Sequence, residues 1–232
     1  MTALLLGDYI SAPTRGALSA TPYGSLDTYD LADFLARWPE LHRQALDALG
    51  EAGAGRIHPT AFVHPQAIVG DDVIIGADAR VFEFSTVRKG SVVCAGASVG
   101  FNCEVTAALI GEDAVLGHRI GVNRTLVGAR AHLSAGVTVA AINMCRDMHR
   151  PDREVIIRTA TGIYRCGTPQ FGAVIGDDTQ TGNSISLGPG AAMGRHTRIY
   201  SGVTLAARTV PPHSIVTTPH TAQASIRPCR ER

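Results

Sequence analysis

Histidine and cysteine are the residues of this 232-residue sequence whose side chains could carry proton transfer, nucleophilic or metal chemistry. Histidine suits proton transfer and metal binding near neutral pH, and the sequence has nine. His58 and His64 fall in turns that should not converge, so we interpret both as structural. The five cysteines form no CxxC pair, so neither a disulfide framework nor a zinc knuckle is expected. A role for the other histidines depends on the scaffold that positions them.

The charge balance and the lack of long apolar segments exclude several classes of partner. Lys plus Arg number 21 and Asp plus Glu 20, which gives a formal charge of +1. A nucleic-acid binder would need a basic surplus to neutralise phosphates. No window approaches the roughly 18 uncharged apolar residues of a membrane span. The first residues, MTALLLGDYIS, lack the features of a signal peptide. We therefore expect a cytoplasmic protein with no nucleic-acid or membrane partner.

The scaffold is indicated by a repeat of six residues. An aliphatic residue occupies every sixth position over 57–105, and a mostly small residue stands two positions before each of them. Glycine often follows, as at Gly70, Gly76 and Gly100. Because residues i and i−2 share one side of a strand, each hexapeptide predicts a short strand with two inward groups. The turn that follows is one in which glycine can adopt positive φ. Three such strands make one triangular coil.

The repeat predicts an all-β fold, a left-handed parallel β-helix of hexapeptide repeats over residues 56–216. Residues 1–55 are expected to form an N-terminal helical cap of two short helices over the first coil, the second beginning at Pro39. Residues 141–170 interrupt the repeat as an excursion loop that ends in a hairpin. We expect this loop to be dispensable for folding but needed for ligand binding. Residues 217–232 form a polar C-terminal tail.

The repeat and its restart after the loop resemble the hexapeptide-repeat acyltransferases. Among them the sequence is most similar to the acetyltransferase domain of the bifunctional N-acetylglucosamine-1-phosphate uridyltransferase. The resemblance covers about residues 57–216 and is most specific in EVIIR, TG and QFGAVIGDDTQTGNSISLGPGAAMGRHTRIYSGV. The family's glycine-rich L-x-x-G-x-G-T-R nucleotide loop is not found, so nucleotidyl transfer is not implied.

The resemblance implies a catalytic residue and one substrate contact. Gly117–His118 stand ten residues before Gly128, as the family's catalytic histidine motif does, so His118 is implied as the general base. Arg88 stands thirty residues before His118, at the position of the family's sugar-phosphate arginine. A guanidinium can bind a phosphate through two hydrogen bonds.

Other family positions are substituted. Thr106 replaces a lysine, Gly121 a tyrosine and His132 an asparagine, while a further asparagine of the family falls near Ala141 or, with two extra residues, at Asn143. We interpret Thr106, His132 and Asn143 as substrate-binding positions by this correspondence. The loss of the lysine removes one phosphate partner, so the acceptor need not be glucosamine 1-phosphate.

The resemblance also implies a co-substrate and an assembly. The pantetheine arm of acetyl-CoA is expected between neighbouring columns, along residues 171–206, with Gly172, Ala173, Asn183 and Ser184 as cofactor-binding residues. A homotrimer is expected because β-helices present flat faces and because family sites use residues of neighbouring columns.

Three function classes follow. The first is an acyl-CoA-dependent N-acyltransferase of nucleotide sugar metabolism, acting on an amino sugar or amino-sugar phosphate. The second is a non-catalytic hexapeptide-repeat protein that binds a sugar nucleotide or scaffolds a partner enzyme. The third is a zinc enzyme like the carbonic anhydrases of this fold, with His118, His132 and His149 as ligands. Because the close H-x4-H pair of that family is lacking, we expect no metal.

Overall fold

The computed structural model describes residues 3–218, so most of the predicted tail, 217–232, lies outside the described residues. Three 3₁₀ helices (Leu6–Asp8, Ala17–Ala20 and Pro22–Thr28) precede one α-helix, α1 (Leu31–Glu51). Short strands follow: β1 (Phe62–Val63), β2 (Ile68–Val69), β3 (Ile74–Ile75), β4 (Arg80–Val81), β5 (Thr86–Arg88), β6 (Val92–Val93), β7 (Ser98–Val99), β8 (Glu104–Thr106), β9 (Leu109–Ile110), β10 (Val115–Leu116), β11 (Gly121–Asn123), β12 (Leu126–Val127), β13 (His132–Leu133), β14 (Thr138–Val139), β15 (Ile156–Thr159), β16 (Gly162–Arg165), β17 (Ala173–Ile175), β18 (Gln180–Thr181), β19 (Ser186–Leu187), β20 (Ala191–Met193), β21 (Arg198–Ile199), β22 (Thr204–Leu205), β23 (Arg208–Val210) and β24 (Ile215–Val216).

Three parallel sheets form the faces of a column. The first face has the order β1-β4-β7-β10-β13-β18-β21-β24, and the second has β2-β5-β8-β11-β14-β19-β22. The third face has β3-β6-β9-β12-β17-β20-β23, with β15 and β16 added beside β23. Each coil gives one strand to each face, which confirms the predicted all-β, left-handed parallel β-helix. We call the turns from first to second face the first corner, from second to third the second corner, and from third to first the third corner.

The interior of the column is formed by the two inward registers that the repeat predicts. The aliphatic positions from Ile75 to Ile199 are almost completely buried, and so are the small residues two positions before them. Several of these small residues are polar: the Ser85 hydroxyl, for example, donates to the Gly100 carbonyl at 2.5 Å and accepts from the Cys103 amide at 3.0 Å. Among the described residues, the Thr179 hydroxyl is the exception that has no such partner. Small inward groups therefore fill the corners of the triangle at little cost in unpaired polar atoms.

The turn-slot glycines have a different role from the one expected. None of Gly70, Gly76 and Gly100 has a positive φ. Instead, a Cβ added at Gly100 would lie 1.7 Å from the Gly117 carbonyl oxygen of the next coil. Glycine is required there because adjacent coils approach closely. Positive φ falls on other turn residues, among them Asp78 and Phe84.

The third face is covered by the N-terminal segment rather than exposed. Every third hexapeptide of the repeat contributes its strand to this face. The outward residues of these strands are apolar and buried, namely Ile74, Val92, Leu109, Leu126, Val174 and Ala192. They form a second core with the 3₁₀ helices, α1 and the excursion loop. The expectation of a cap over the first coil was therefore wrong. Residues 57–70 of that coil contain no buried residue, and Ile68 is 66% exposed.

The N-terminal segment contains one α-helix where two short ones were expected. A buried stripe of Phe34, Trp38, Leu41, Ala45 and Leu49 lies on one side of α1, with helical spacing, on both sides of Pro39. Pro39 itself is exposed. Burial of the whole stripe outweighs the cost of an internal proline, which is about 3 kcal/mol.

No helix within residues 3–218 has the length and apolarity needed to span a membrane.

The excursion loop ends in the predicted hairpin and belongs to the second core. β15 and β16 pair antiparallel around residues 160–161, and Val155, Ile157 and Tyr164 are buried. The Tyr164 hydroxyl donates to Asp30, the residue that caps α1, and accepts from the Ala32 amide at 2.7 Å. The hairpin therefore joins the helix to the column. This contact argues against the expectation that the excursion loop is dispensable for folding.

Candidate functional site

The first corner brings three of the predicted site residues into one groove. His118, His132 and Asn183 line a cavity of about 490 Å³ on the outside of the column. Its other walls are Phe82, Glu83, Ser98, Gly100, Phe101, Val115, Leu116, Gly117, Ser134 and Ala135. The groove therefore combines two imidazoles and one carboxamide with an apolar floor.

His118 occupies the turn between β10 and β11, where the coil changes from the first face to the second. Its backbone carbonyl accepts a hydrogen bond from the Gly136 amide of the next coil at 3.0 Å. Its side chain is exposed and, within residues 3–218, forms no hydrogen bond or ion pair. The backbone is thus held by the next coil, while the imidazole is exposed.

His132 projects outward from β13 on the first face. It is in register with Val115 of β10 and with Gln180 of β18. The alternation of the strand places Ala131 and Leu133 inside the column and the imidazole outside. The prediction that His132 points outward is therefore confirmed, and the groove lies between this side chain and the His118 turn.

Asn183 and Ser184 lie at the same corner one coil further along the column. The Ser184 backbone amide donates to the Ala135 carbonyl at 2.9 Å, and the Asn183 backbone amide donates to the Ser201 hydroxyl at 2.9 Å. Both side chains are exposed. Phe101, His118, Ala135 and Asn183 therefore occupy equivalent positions in successive coils, about 5 Å apart along the column.

Arg88 and Thr106 lie on the second face, where Arg88 lines a separate groove and Thr106 is buried. They are in register on β5 and β8, and the Arg88 Nε donates to the Thr106 hydroxyl at 3.2 Å. The Arg88 guanidinium is also ion-paired with Glu104. This second groove is lined in addition by Phe84 and Arg119, and is also about 490 Å³ in volume. In a single chain, Arg88 therefore does not reach the His118 groove, and its charge is already matched by a carboxylate.

The remaining predicted residues lie elsewhere. The Asn143 side chain donates to the Glu154 carbonyl within the excursion loop at 3.3 Å. Ala173 is fully buried, with its methyl group in the column interior. The amide of Gly172 donates to the Arg124 carbonyl at 2.9 Å, at the second corner. Neither Gly172 nor Ala173 lines the groove of His118 and Asn183.

Phenylalanines around the first corner were missed by sequence reasoning. Phe101 and Phe84 are 38% and 53% exposed, and their rings meet edge to face at 5.7 Å between centroids. Phe84 has a φ of 60°, which is rare for a bulky residue. The signal was available, because Phe82, Phe84 and Phe101 occupy turn positions that elsewhere hold small or polar residues. They place exposed aromatic surface between the two grooves.

The structure gives no support for a cysteine nucleophile or a metal site at this corner. Cys103 lies 2% exposed beneath the turn, as predicted, and burial raises the pKa of its thiol. It is therefore a core residue rather than a nucleophile. Within the described part of the chain, no three His, Cys, Asp or Glu side chains are grouped closely enough to hold a metal ion. The zinc-enzyme alternative gains no support from this geometry.

Comparison with known proteins finds one family model and two curated relatives. The model of the GMPPB C-terminal domain matches residues 52–149, a range that includes both groove histidines. A putative uncharacterised acetyltransferase, YaiX of Escherichia coli K12, is 27% identical over 113 residues, which are 48% of this chain and 46% of YaiX. YaiX from Escherichia coli O6:K15:H31 gives the same identity and coverage. The chain thus matches about half the length of these curated relatives.

Solved structures with a similar path include acyltransferases. One is a mutant of perosamine N-acetyltransferase from Caulobacter crescentus in complex with CoA and GDP-perosamine, with 17% identity and a TM-score of 0.35. The match covers 81% of this chain and 63% of that one. Another is the UDP-N-acetylglucosamine acyltransferase of Francisella novicida, with 12% identity, a TM-score of 0.45, and coverage of 69% and 60%.

The fold and the corner groove define a hexapeptide-repeat β-helix protein with a histidine-bearing surface site. In sequence the chain is similar to curated acetyltransferases and to the GMPPB C-terminal domain, as the resemblance to the hexapeptide-repeat acyltransferases predicted.

Proposed function

We propose that the protein is an acyl-CoA-dependent N-acyltransferase, with acetyl-CoA as co-substrate and an amino sugar or amino-sugar phosphate as acceptor. The observation that carries this proposal is the His118 imidazole, free of protein hydrogen bonds within the described residues and lining a groove with His132 and Asn183. The relatives' description as acetyltransferases supports the same reaction.

The reaction would proceed by direct transfer. The neutral amine of the acceptor attacks the thioester carbonyl carbon, and His118 takes the proton that the nitrogen loses as the N–C bond forms. The C–S bond then breaks, and the departing CoA sulfur receives that proton, which leaves an amide and free CoA. His132 and Asn183 offer hydrogen bonds to the hydroxyl groups of a sugar or to the amide groups of the pantetheine arm.

The site would be completed by a neighbouring copy of the chain in a homotrimer. The N-terminal segment and the hairpin cover the third face, so the first and second faces are the free sides of the column. Exposed apolar side chains lie at and near the corner between these faces, namely Phe62, Ile68, Phe84 and Phe101. A trimer packed there would bury them and would narrow the open groove around acyl-CoA.

The pairing of Arg88 bears on the acceptor. A phosphate bound at Arg88 would have to displace Glu104, whose carboxylate lies against the guanidinium, and would be repelled by it at close range. An acceptor without a phosphate at this position fits the second face better. An amino sugar whose phosphate, if present, lies elsewhere is therefore the preferred substrate class.

The test is release of free CoA from acetyl-CoA across a panel of amino sugars, their phosphates and their nucleotide derivatives, with acetyl-CoA binding measured in parallel by calorimetry. Turnover with at least one acceptor supports the proposal. Binding of acetyl-CoA without turnover on any member would reject the transferase. Binding of a sugar nucleotide but not of acetyl-CoA would establish the non-catalytic alternative.

A further inference from the structure

A second pocket lies at the second corner of the column, away from the His118 groove. It is a partly open pocket that is bordered by α1, by stacked corner turns and by the end of the excursion loop, and it has a volume of about 350 Å³. Its lining includes Leu35, Trp38, His42, Lys89, Ala107 and Arg124. This volume lies within the range of small-molecule sites. We call it the α1 pocket.

One wall of the α1 pocket is apolar and rigid. Trp38 is 8% exposed, and its indole N–H donates to the Tyr23 hydroxyl oxygen at 3.1 Å. The Tyr23 hydroxyl in turn donates to His42 Nδ1 at 2.8 Å, and His42 Nε2 donates to the Asp72 carbonyl at 2.6 Å. Each of these polar atoms has a partner, so the wall offers the indole and Leu35 as contact surface. Burial lowers the pKa of His42, so this imidazole is neutral and adds no charge.

The opposite rim carries two cations. Lys89 is the single lysine of the sequence, and Arg124 occupies the equivalent position two coils further along, with Ala107 between them. All three have positive φ, of 54°, 46° and 47° for Lys89, Arg124 and Ala107 respectively. The small side chain of Ala107 leaves space between the two long cationic ones, whose backbones are about 10 Å apart by the spacing of coils.

Neither cation is neutralised by a partner. Within residues 3–218, the side chains of Lys89 and Arg124 form no ion pair and no hydrogen bond. By contrast, Arg88 on the neighbouring face is paired with Glu104, and Arg130 at the third corner is paired with Asp178. Asp72 is the one acidic residue of the lining, so the charged groups of the pocket sum to one positive charge. Gln170 adds a carboxamide at the edge of the excursion loop.

We propose that the α1 pocket binds a small organic anion with a planar apolar body. The ring would pack against Trp38 and Leu35, and the anionic group would bind Lys89 and Arg124. The pocket combines an apolar wall with two cations that have no partner among the described residues, at a separation that one carboxylate or phosphate group can bridge. The site is independent of acyl transfer, because it lies at a different corner and shares no lining residue with the His118 groove.

The test uses Trp38, which is the only tryptophan of the protein, as the reporter. Phenyl phosphate is titrated into the full chain and indole fluorescence is followed, with benzyl alcohol and inorganic phosphate as probes that carry only the ring or only the charge. A saturable change with phenyl phosphate is expected, with at least about tenfold weaker binding of either partial probe. Lys89→Gln and Arg124→Gln should each weaken phenyl phosphate binding about tenfold, as expected for the loss of a charge-assisted hydrogen bond.

Arg119→Gln is the matched control. Arg119 is an exposed corner arginine with a φ of 52°, and it lines the second-face groove instead. This variant loses the same charge at a turn of the first corner, outside the α1 pocket, and should bind phenyl phosphate as the wild type does. The proposal is overturned if phenyl phosphate gives no saturable change up to about 10 mM. Equal affinities of Lys89→Gln, Arg124→Gln and Arg119→Gln would overturn it as well.

Discussion

Replacement of Asp177 should release the N-terminal segment from the column. This residue follows β17 and is 0% exposed. Its carboxylate accepts from the Ser11 amide at 3.2 Å, the Ser11 hydroxyl at 2.6 Å and the Ala129 amide at 2.8 Å, and it pairs with Arg195 at 3.2 Å. A single buried side chain thus joins the segment before α1 to two coils.

The magnitude follows from the groups that Asp177→Ala leaves behind. Truncation of one member of a buried ion pair costs about 3–5 kcal/mol. The Arg195 side chain is 33% exposed and recovers some hydration, so we expect about 3 kcal/mol, at the lower end of that range. For a chain of this size, about 3 kcal/mol corresponds to a decrease in Tm of about 6–12 °C.

The assay is a thermal melt followed by circular dichroism, with Asp177→Asn as the control. Asparagine keeps one acceptor oxygen but loses the ion pair, so a loss of about 1–2 kcal/mol is expected. An Asp177→Ala variant that melts within about 2 °C of the wild type, less than about 1 kcal/mol, would refute the assignment of this carboxylate as the anchor.

Two further predictions concern the excursion loop and the assembly. Replacing residues 151–169 by a short glycine linker removes buried Val155, Ile157 and Tyr164, each contributing about 1.5–3 kcal/mol. The variant should lose its cooperative melt or aggregate, and an unchanged Tm would restore the view that the loop is dispensable. Light scattering should give about three times the 24.4 kDa chain mass, and a monomer mass at micromolar concentration would reject the trimer.

The column itself could be predicted from the sequence because its cause is local. A period of six with aliphatic and small inward residues has one physical solution, since both registers must face the same interior. The same pattern contains a second signal, which concerns the outward residues. Only every third hexapeptide has a consistently apolar residue just before its aliphatic one, as at Ile74, Leu109 and Leu126. These residues mark a single covered face, and they indicate where the N-terminal segment packs.

The site was predicted less completely because it depends on which turns stack. Asn183 follows the excursion loop, whereas His118 and His132 precede it. The sequence therefore shows that the three share a corner only if the column is known to continue directly after the loop. Arg88 was expected to bind the acceptor, and β5 places it on the second face, where it pairs with Glu104. Ion pairs between coils of this kind leave no periodic signal in the sequence.

The proposed role of His118 as the general base of acyl transfer is tested by the turnover of His118→Ala with the acceptor that the wild type uses. General-base catalysis is worth about 10²–10⁴ in rate, so kcat should fall by that factor. Because the side chain forms no hydrogen bond within the described residues, Tm and the acetyl-CoA affinity should stay unchanged. His132→Ala is the matched control from the same groove and should mainly raise KM. An unchanged kcat for His118→Ala would contradict the account.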